Sequence, residues 1–411
     1  MAPKNKYKWQ FAPRFRRNAF GWRSNLPVRR IREALTEIKK VARKDPVLGA
    51  EGAVTFLEKV SGALMYVDSS SGALGAAVNN AIDTLAPIIA AAPAEDKVRD
   101  KWLERLWDAV LTDEMPYIEL LPEYWGELCV TPERASRWAD RFLEEMRQFY
   151  WPQDTDWSYF RGTRACLSCL YTSGRHEEIL HFLRLQKHAF WHERIWGVKA
   201  LMALGEPAEA LRYAEASRGL NAPDDLISET CEEILLKSGM AEEAYQRYAY
   251  EANQKNTYLA SFRAILKKYP MKKPEEILQD LVAKTPGDEG KWFAAAKSEG
   301  LYDEALSLAE GSPCDPRTLT RAARDMAGTN PGFAIGAGLA ALKWMLLGYG
   351  YEISELDVHS ACRWTLEAAK KIDRVKETVA NIYEMTQNRT SGRMEPMVAT
   401  AILEGLERYM S

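Results

Sequence analysis

Glu178-Ile179-Leu180, Glu209-Ala210-Leu211, Glu243-Ala244-Tyr245, Glu276-Ile277-Leu278 and Glu304-Ala305-Leu306 repeat one short pattern at steps of 31, 34, 33 and 28 residues. That period belongs to stacked helix pairs. The residue after each glutamate is the anchor. Another apolar residue follows it, and four positions on sits Leu183, Ala214, Tyr248, Leu281 or Ala309. Spacings of one and four hold all three on one helical face. Five positions before the anchor stand Gly174, Gly205, Gly239 and Gly300, where a left-handed cap would end one helix and turn into the next. The fourth copy has Tyr269-Pro270 near its turn instead, and proline stops a helix without a positive φ. Thirteen positions before the anchor lie Cys166, Gly197, Cys231 and Ala264, small as close helix approach requires. The fifth copy carries Trp292 there. Each unit therefore reads as a first helix, a tight turn and a second helix. One such unit cannot bury its apolar face alone, and stacking solves that.

Outward from the repeats, residues 1–27 are basic and aromatic with no clear period, which predicts an extended arm. A basic helix is expected over 28–44, with Ile31, Leu35, Ile38 and Val41 on one stripe and Pro46 ending it. Further helices are expected over 47–65, 73–92, 96–110 and from Pro132 to about Tyr150. An irregular aromatic stretch over 115–130 interrupts them, and a joint falls at 151–156. After the fifth copy, 315–326 and 333–347 read as a sixth pair. Gly348-Tyr349-Gly350 breaks it, and helices over 354–372, 374–385 and 395–409 cap the array. No segment alternates with strand period. The expected fold is all-α, a right-handed α-α superhelix. It divides into a basic arm and first helix (1–44), an N-terminal helical region (45–156), repeats (157–347) and capping helices (348–411).

In period, in the turn glycine and in the Glu-Ala-Leu opening of the second helix, residues 160–347 resemble tetratricopeptide repeats, although the first helix lacks their Trp-Leu-Gly-Tyr series. The stretches at 42–60 (ARKDPVLGAEGAVTFLEKV), 124–129 (YWGELC), 312–324 (SPCDPRTLTRAAR) and 348–353 (GYGYEI) also look like a bacterial family of helical-repeat proteins with no activity to carry over. Some longer members carry a zinc-binding SWIM module, and this chain has no Cys-x-Cys start for one. The tetratricopeptide-like solenoid implies an interaction scaffold.

The formal net charge is −3 over 411 residues, but it is unevenly divided. Residues 1–44 hold fourteen basic and two acidic residues, leaving 41 basic and 56 acidic in the body. A basic arm joined to an acidic body is the result. Six cysteines in a chain this long do not form a disulfide scaffold. The first 32 residues lack the apolar core of a secretory leader, and the longest apolar run, 85–93, is too short for a bilayer. The arginine-rich start imitates a mitochondrial transit peptide, but Pro3, Pro13 and Pro27 break the helix one needs. A cytoplasmic chain without membrane contact is expected.

Four of the five histidines cluster at His176, His181, His188 and His192. His188 and His192 share a helical face as a metal pair would, but zinc needs at least three placed ligands. His176 and His181 are five apart, ~140° around a helix, which fails a zincin motif. Cys166-x-x-Cys169 lies inside a first helix with no second pair, and reads as small core residues. Gly336-Ala337-Gly338 lacks the third glycine and preceding strand of a nucleotide loop. Asn388-Arg389-Thr390 fits a glycosylation sequon. Tyr117, Tyr124, Trp125, Trp191 and Trp196 either line a peptide groove or belong to the core. No cofactor, metal or catalytic set is expected.

The strongest functional signal is the arm with its helix: Lys4, Lys6, Lys8, Trp9, Arg14, Arg16, Arg17, Trp22, Arg23, Arg29, Arg30 and Arg32. Two uses compete. The arm docks on its own acidic body or on a protein partner, or its cations take phosphates while its rings stack on bases. The first expectation is a non-catalytic scaffold for a protein partner, the second a nucleic-acid-binding repeat protein of DNA processing or defence. A base-excising enzyme would need a carboxylate facing a basic groove, and the acidic body argues against it.

Overall fold

The computed structural model describes residues 7–150, 160–186, 189–219, 222–387 and 395–410. The expected joint at 151–156, the sequon at 388–390, and Lys4, Lys6 and His188 lie outside them. Among the described residues every regular element is helical, with twenty-one α-helices and three short 3-10 turns. The chain divides into two compact units, Met1–Pro223 and Asp224–Ser411. The division falls between the second and third pairs. Helices Trp125–Cys129 and Pro132–Tyr150 both pack on Thr163–Thr172, the first helix of copy one. One apolar core therefore runs from Trp9 to Ala200.

The first unit opens with helix Asn25–Ala42, whose Ile31, Leu35 and Ile38 are buried as the stripe requires. Pro46 both ends that segment and begins helix Pro46–Leu64, where Asp45 accepts from the Leu48 N–H at 2.9 Å as its N-cap. Helix Ala73–Ala91 follows, with 19 residues and a mean hydropathy that would suit a membrane span. The apolar stretch is thus longer than the expected run at 85–93 and reaches span length. Leu74, Val78, Ala81, Ile82, Leu85 and Ile89 are nevertheless buried, and Asn79, Asn80 and Asp83 are exposed. It packs on Asn25–Ala42 and Pro46–Leu64. The end of this helix is capped from a distance. The buried Arg99 guanidinium donates to the carbonyls of Ile89 at 3.1 Å and Ala92 at 2.5 Å, placing a cation where the helix dipole is negative. The irregular stretch at 115–130 holds a 3-10 turn, Leu121–Tyr124, and the helix Trp125–Cys129.

All five expected pairs form. They are Thr163–Thr172 with His176–Leu185, Trp191–Ala203 with Pro207–Glu215, Asp224–Lys237 with Ala241–Ala252, Tyr258–Lys268 with Pro274–Ala283, and Phe293–Ser298 with Tyr302–Gly311. The anchors Ile179, Ala210, Ala244, Ile277 and Ala305 have no exposed surface. The positions four residues on are buried too. Gly174, Gly205, Gly239 and Gly300 adopt φ of 76, 80, 76 and 78°. After each glycine the next N–H reaches five residues back, as in Arg175 to Leu170 at 2.9 Å and Met240 to Leu235 at 2.9 Å, which makes each turn a Schellman cap. The fourth copy ends its first helix at Lys268 with Tyr269 in a non-helical conformation, and restarts at Pro274. Trp292 departs from the small-residue rule because the fifth first helix is short. Trp292 falls in the 3-10 turn Glu289–Trp292 before it, buried, with its indole N–H on Thr285 Oγ1 at 2.8 Å.

In the second unit a sixth pair, Pro316–Met326 and Pro331–Leu346, precedes the helices Glu355–Lys371, Val375–Gln387 and Pro396–Met410. Gly348 repeats the glycine cap with φ 80°. Gly336 and Gly338 serve packing. A Cβ on Gly336 would meet Leu306 at 2.7 Å, and one on Gly338 would meet Thr365 at 1.9 Å. Gly239 faces open space, so a Gly239→Ala change meets only the left-handed backbone penalty. Its expected cost is about 1–2 kcal/mol, with Gly239→Asn costing less, read as lowered thermal or urea stability.

Candidate interaction surface

The arm is a folded strap. Around a 3-10 turn at Ala12–Phe15, its described part lays Trp9, Phe11, Phe15 and Phe20 into the core of the first unit. The Trp9 ring covers Gly52, where a Cβ would lie 2.2 Å from it. Phe11 and Phe15 meet Phe56 edge-on, with centroids 5.9 and 5.1 Å apart. The backbone is tied as well. Gln10 and Phe11 N–H donate to the Glu37 carboxylate at 2.8 and 3.1 Å, Asn18 N–H to the Gly62 carbonyl at 3.0 Å, and Asp68 N–H to the Trp22 carbonyl at 2.8 Å.

Magnitudes decide what holds it. A buried aromatic ring contributes about 1.5–3 kcal/mol, an exposed ion pair ~0–1 kcal/mol. Four rings are buried. The pairs Arg14–Glu33 and Arg17–Glu114, at 3.0 and 3.3 Å, are exposed. Docking is thus an effect of the rings and not of charge attraction. It also makes Trp9 a core residue, closed to any partner.

With the rings turned in, the cations turn out. Lys8, Arg14, Arg16, Arg17, Arg23, Arg29 and Arg32 are exposed and Arg30 is half-buried. Glu33 alone serves Arg14, Arg29 and Arg30, and the Arg30 hydrogen bond holds its carboxyl below the usual range. Lys8, Arg16, Arg23 and Arg32 make no ion pair among the described residues. Beside them Trp22 is 71% and Tyr66 59% exposed. The structure thus brings the described sequence-predicted cations onto the strap and its first helix, and leaves Tyr7 and Trp22 as open rings beside them.

The other sequence candidates settle into structure. Trp125, Tyr117 and Trp196 are buried, Trp191 is half-buried, and Tyr124 donates its hydroxyl to Asp83 at 2.8 Å. Cys166 and Cys169 are buried free thiols, pushed up by burial. Among the described residues no group of three or more His, Cys, Asp or Glu could hold a metal. His192 stacks on Phe190 with centroids 5.6 Å apart, and burial, then the Arg164 charge, lowers its pKa to about 4. The fully buried Glu232 has its carboxylate occupied by the Tyr269 hydroxyl at 2.6 Å, Asn253 Nδ2 at 2.8 Å and Lys268 Nζ at 2.6 Å. That makes it a clamp between three helices, with no free oxygen for acid–base work.

Sequence reasoning missed one feature of the second unit. Helices Pro316–Met326 and Glu355–Lys371 wall a cleft of about 220 Å³ lined by Arg317, Arg321, Arg324, Asp357, Ser360 and Trp364. The arginines were visible at helical spacing, but their facing wall lies some forty residues on. No protein-family model and no curated protein matches the chain.

Two measurements follow. Gly52→Ala drives a methyl into Trp9, so trypsin cleavage at Arg14–Arg17 should accelerate at least about tenfold, while Glu33→Gln changes it little. His192 should titrate near 4 by proton NMR. Its pKa falls on folding, so its contribution is present above the ordinary 6.5 and lost as pH drops toward 4. His192→Phe should narrow the difference in melting temperature between about pH 7 and pH 5.

Proposed function

We propose that the chain is a non-catalytic, tetratricopeptide-like scaffold of the cytoplasm that receives a segment of a protein partner along its first helices and steadies it with the basic strap. The observation that carries this reading is the recurrence of one glycine-capped helix pair, which sets first helices side by side. Within the first unit Thr163–Thr172 lies against Trp191–Ala203, and within the second Tyr258–Lys268 lies against Phe293–Ser298. Such rows offer a long surface that no single helix could. The outward cations of the strap match an acidic partner segment, with the association rate the quantity they raise most.

The second reading, nucleic-acid binding, draws on the same cations and the exposed Trp22. It is the weaker one, because four of the six described strap rings are inside the fold and unavailable for base stacking.

Affinity capture with the full chain and with an Arg16→Glu/Arg23→Glu/Arg32→Glu variant separates the two, alongside anisotropy on labelled single-stranded DNA. Partner proteins retained by the wild type and lost from the variant are expected. DNA binding should be no tighter than the roughly 10⁻⁶–10⁻⁴ M of non-specific contact. Identical protein lists from both chains, or tight DNA binding that falls steeply between ~50 and 200 mM salt, overturn the scaffold reading.

A further inference from the structure

Helix Pro316–Met326 carries Arg317, Arg321 and Arg324 at i, i+4 and i+7, hence on one face. Across the cleft stand Asp357, Ser360 and Trp364. Asp357 is already engaged. Arg317 Nε and Nη2 hold its two oxygens at 3.0 and 2.9 Å, and Ser354 donates its N–H at 3.0 Å and its hydroxyl at 2.8 Å. Arg321 donates to Thr318 Oγ1 at 2.9 Å and has no carboxylate partner among the described residues. Arg324 pairs with its sequence neighbour Asp325 at 2.9 Å, both half-exposed. Such a contact is worth ~0–1 kcal/mol and yields to a better anion. Arg363 lies 5.0 Å over the Trp364 ring. Two guanidiniums thus face a cleft whose one carboxylate is neutralised by the third.

Size limits the occupant. At about 220 Å³ the cleft is smaller than the roughly 300–1,000 Å³ that enclose a whole small molecule, so it suits one group of a larger partner. Chemistry names the group. Guanidinium forks match phosphate oxygens in pairs, and a phosphorylated side chain brings about two negative charges and three acceptor oxygens on an apolar stem that an indole can cover. Overall charge names the carrier. Beyond residue 44 the chain has 56 acidic residues against 41 basic. A nucleic-acid strand would set its neighbouring phosphates against that surface, whereas a protein segment brings a single one.

We propose that this cleft binds a phosphorylated side chain of a protein partner, with Arg321 and Arg324 on the phosphate and Trp364 against its stem. The inference rests on the scaffold reading and specifies one subsite of it.

Fluorescein-labelled degenerate phosphoserine and phosphotyrosine peptide pools, with their unphosphorylated counterparts, can be titrated against the full chain. At least one phosphorylated pool should bind about tenfold tighter or more, with inorganic phosphate competing. An Arg321→Ala/Arg324→Ala variant should lose that gain at an unchanged melting temperature, since both side chains are exposed. Equal affinity for phosphorylated and plain pools, or a preference intact in the variant, overturns the proposal. Tighter binding of single-stranded DNA of about 20 nucleotides, lost in the same variant, overturns the choice of a protein carrier. If the cleft fails while partner capture by the strap persists, only this inference falls.

Discussion

Close approach of paired helices is the constraint on which the rest of this structure depends. A helix of ten or so residues buries too little to be stable by itself, and two packed together still leave one apolar side open. The anchors answer the first problem. Ile179, Ala210, Ala244, Ile277 and Ala305 are wholly enclosed, three of them alanines. A Schellman glycine answers the second by turning the chain back sharply enough for the next helix to lie alongside. Where the separation is smallest no side chain is tolerated at all. Gly197 faces the Tyr213 ring, and Gly338 faces Thr365.

The strap shows the same economy applied to an irregular segment. Its Trp9 ring finds space only because the helix beneath it carries no side chain at the buried Gly52. Hydrophobic burial fixes the backbone, the Glu37 carboxylate accepts from the Gln10 and Phe11 N–H groups, and the guanidiniums are left on the outside. Basic character and aromatic character, mixed in the sequence, are thereby sorted onto two faces. A surface of outward cations results, with Lys8, Arg16, Arg23 and Arg32 making no ion pair among the described residues, held in place by groups that are not themselves part of it.

The second unit places charge differently. Glu232, enclosed by three helices, is fully used by its donors and binds the third and fourth pairs together. Arg317 and Asp357 neutralise each other on the cleft wall, and the bidentate geometry, with Ser354, keeps the Asp357 carboxyl well below its ordinary range. What remains available in the cleft are the cations with no such partner. Electrostatic function in this fold is therefore decided by which charges the packing leaves unmatched.

Period, anchors and turn glycines are local properties, and each specifies its helix pair from residues within a few turns of it. That is why the pairs, their order and the all-helical class were legible in the amino-acid string alone. Even the proline turn of the fourth copy could be read there. Trp292 misled because a single position does not reveal that its helix starts late. Whether Trp9 stacks on a base or on Gly52, whether the repeats begin a new unit or share the N-terminal core, and which side chains face Arg321 depend on contacts between distant segments. Sequence alone determined the bricks and the charge they carry. Only the tertiary structure decided which rings were enclosed and which cations left open, because burial is settled between segments far apart in the chain.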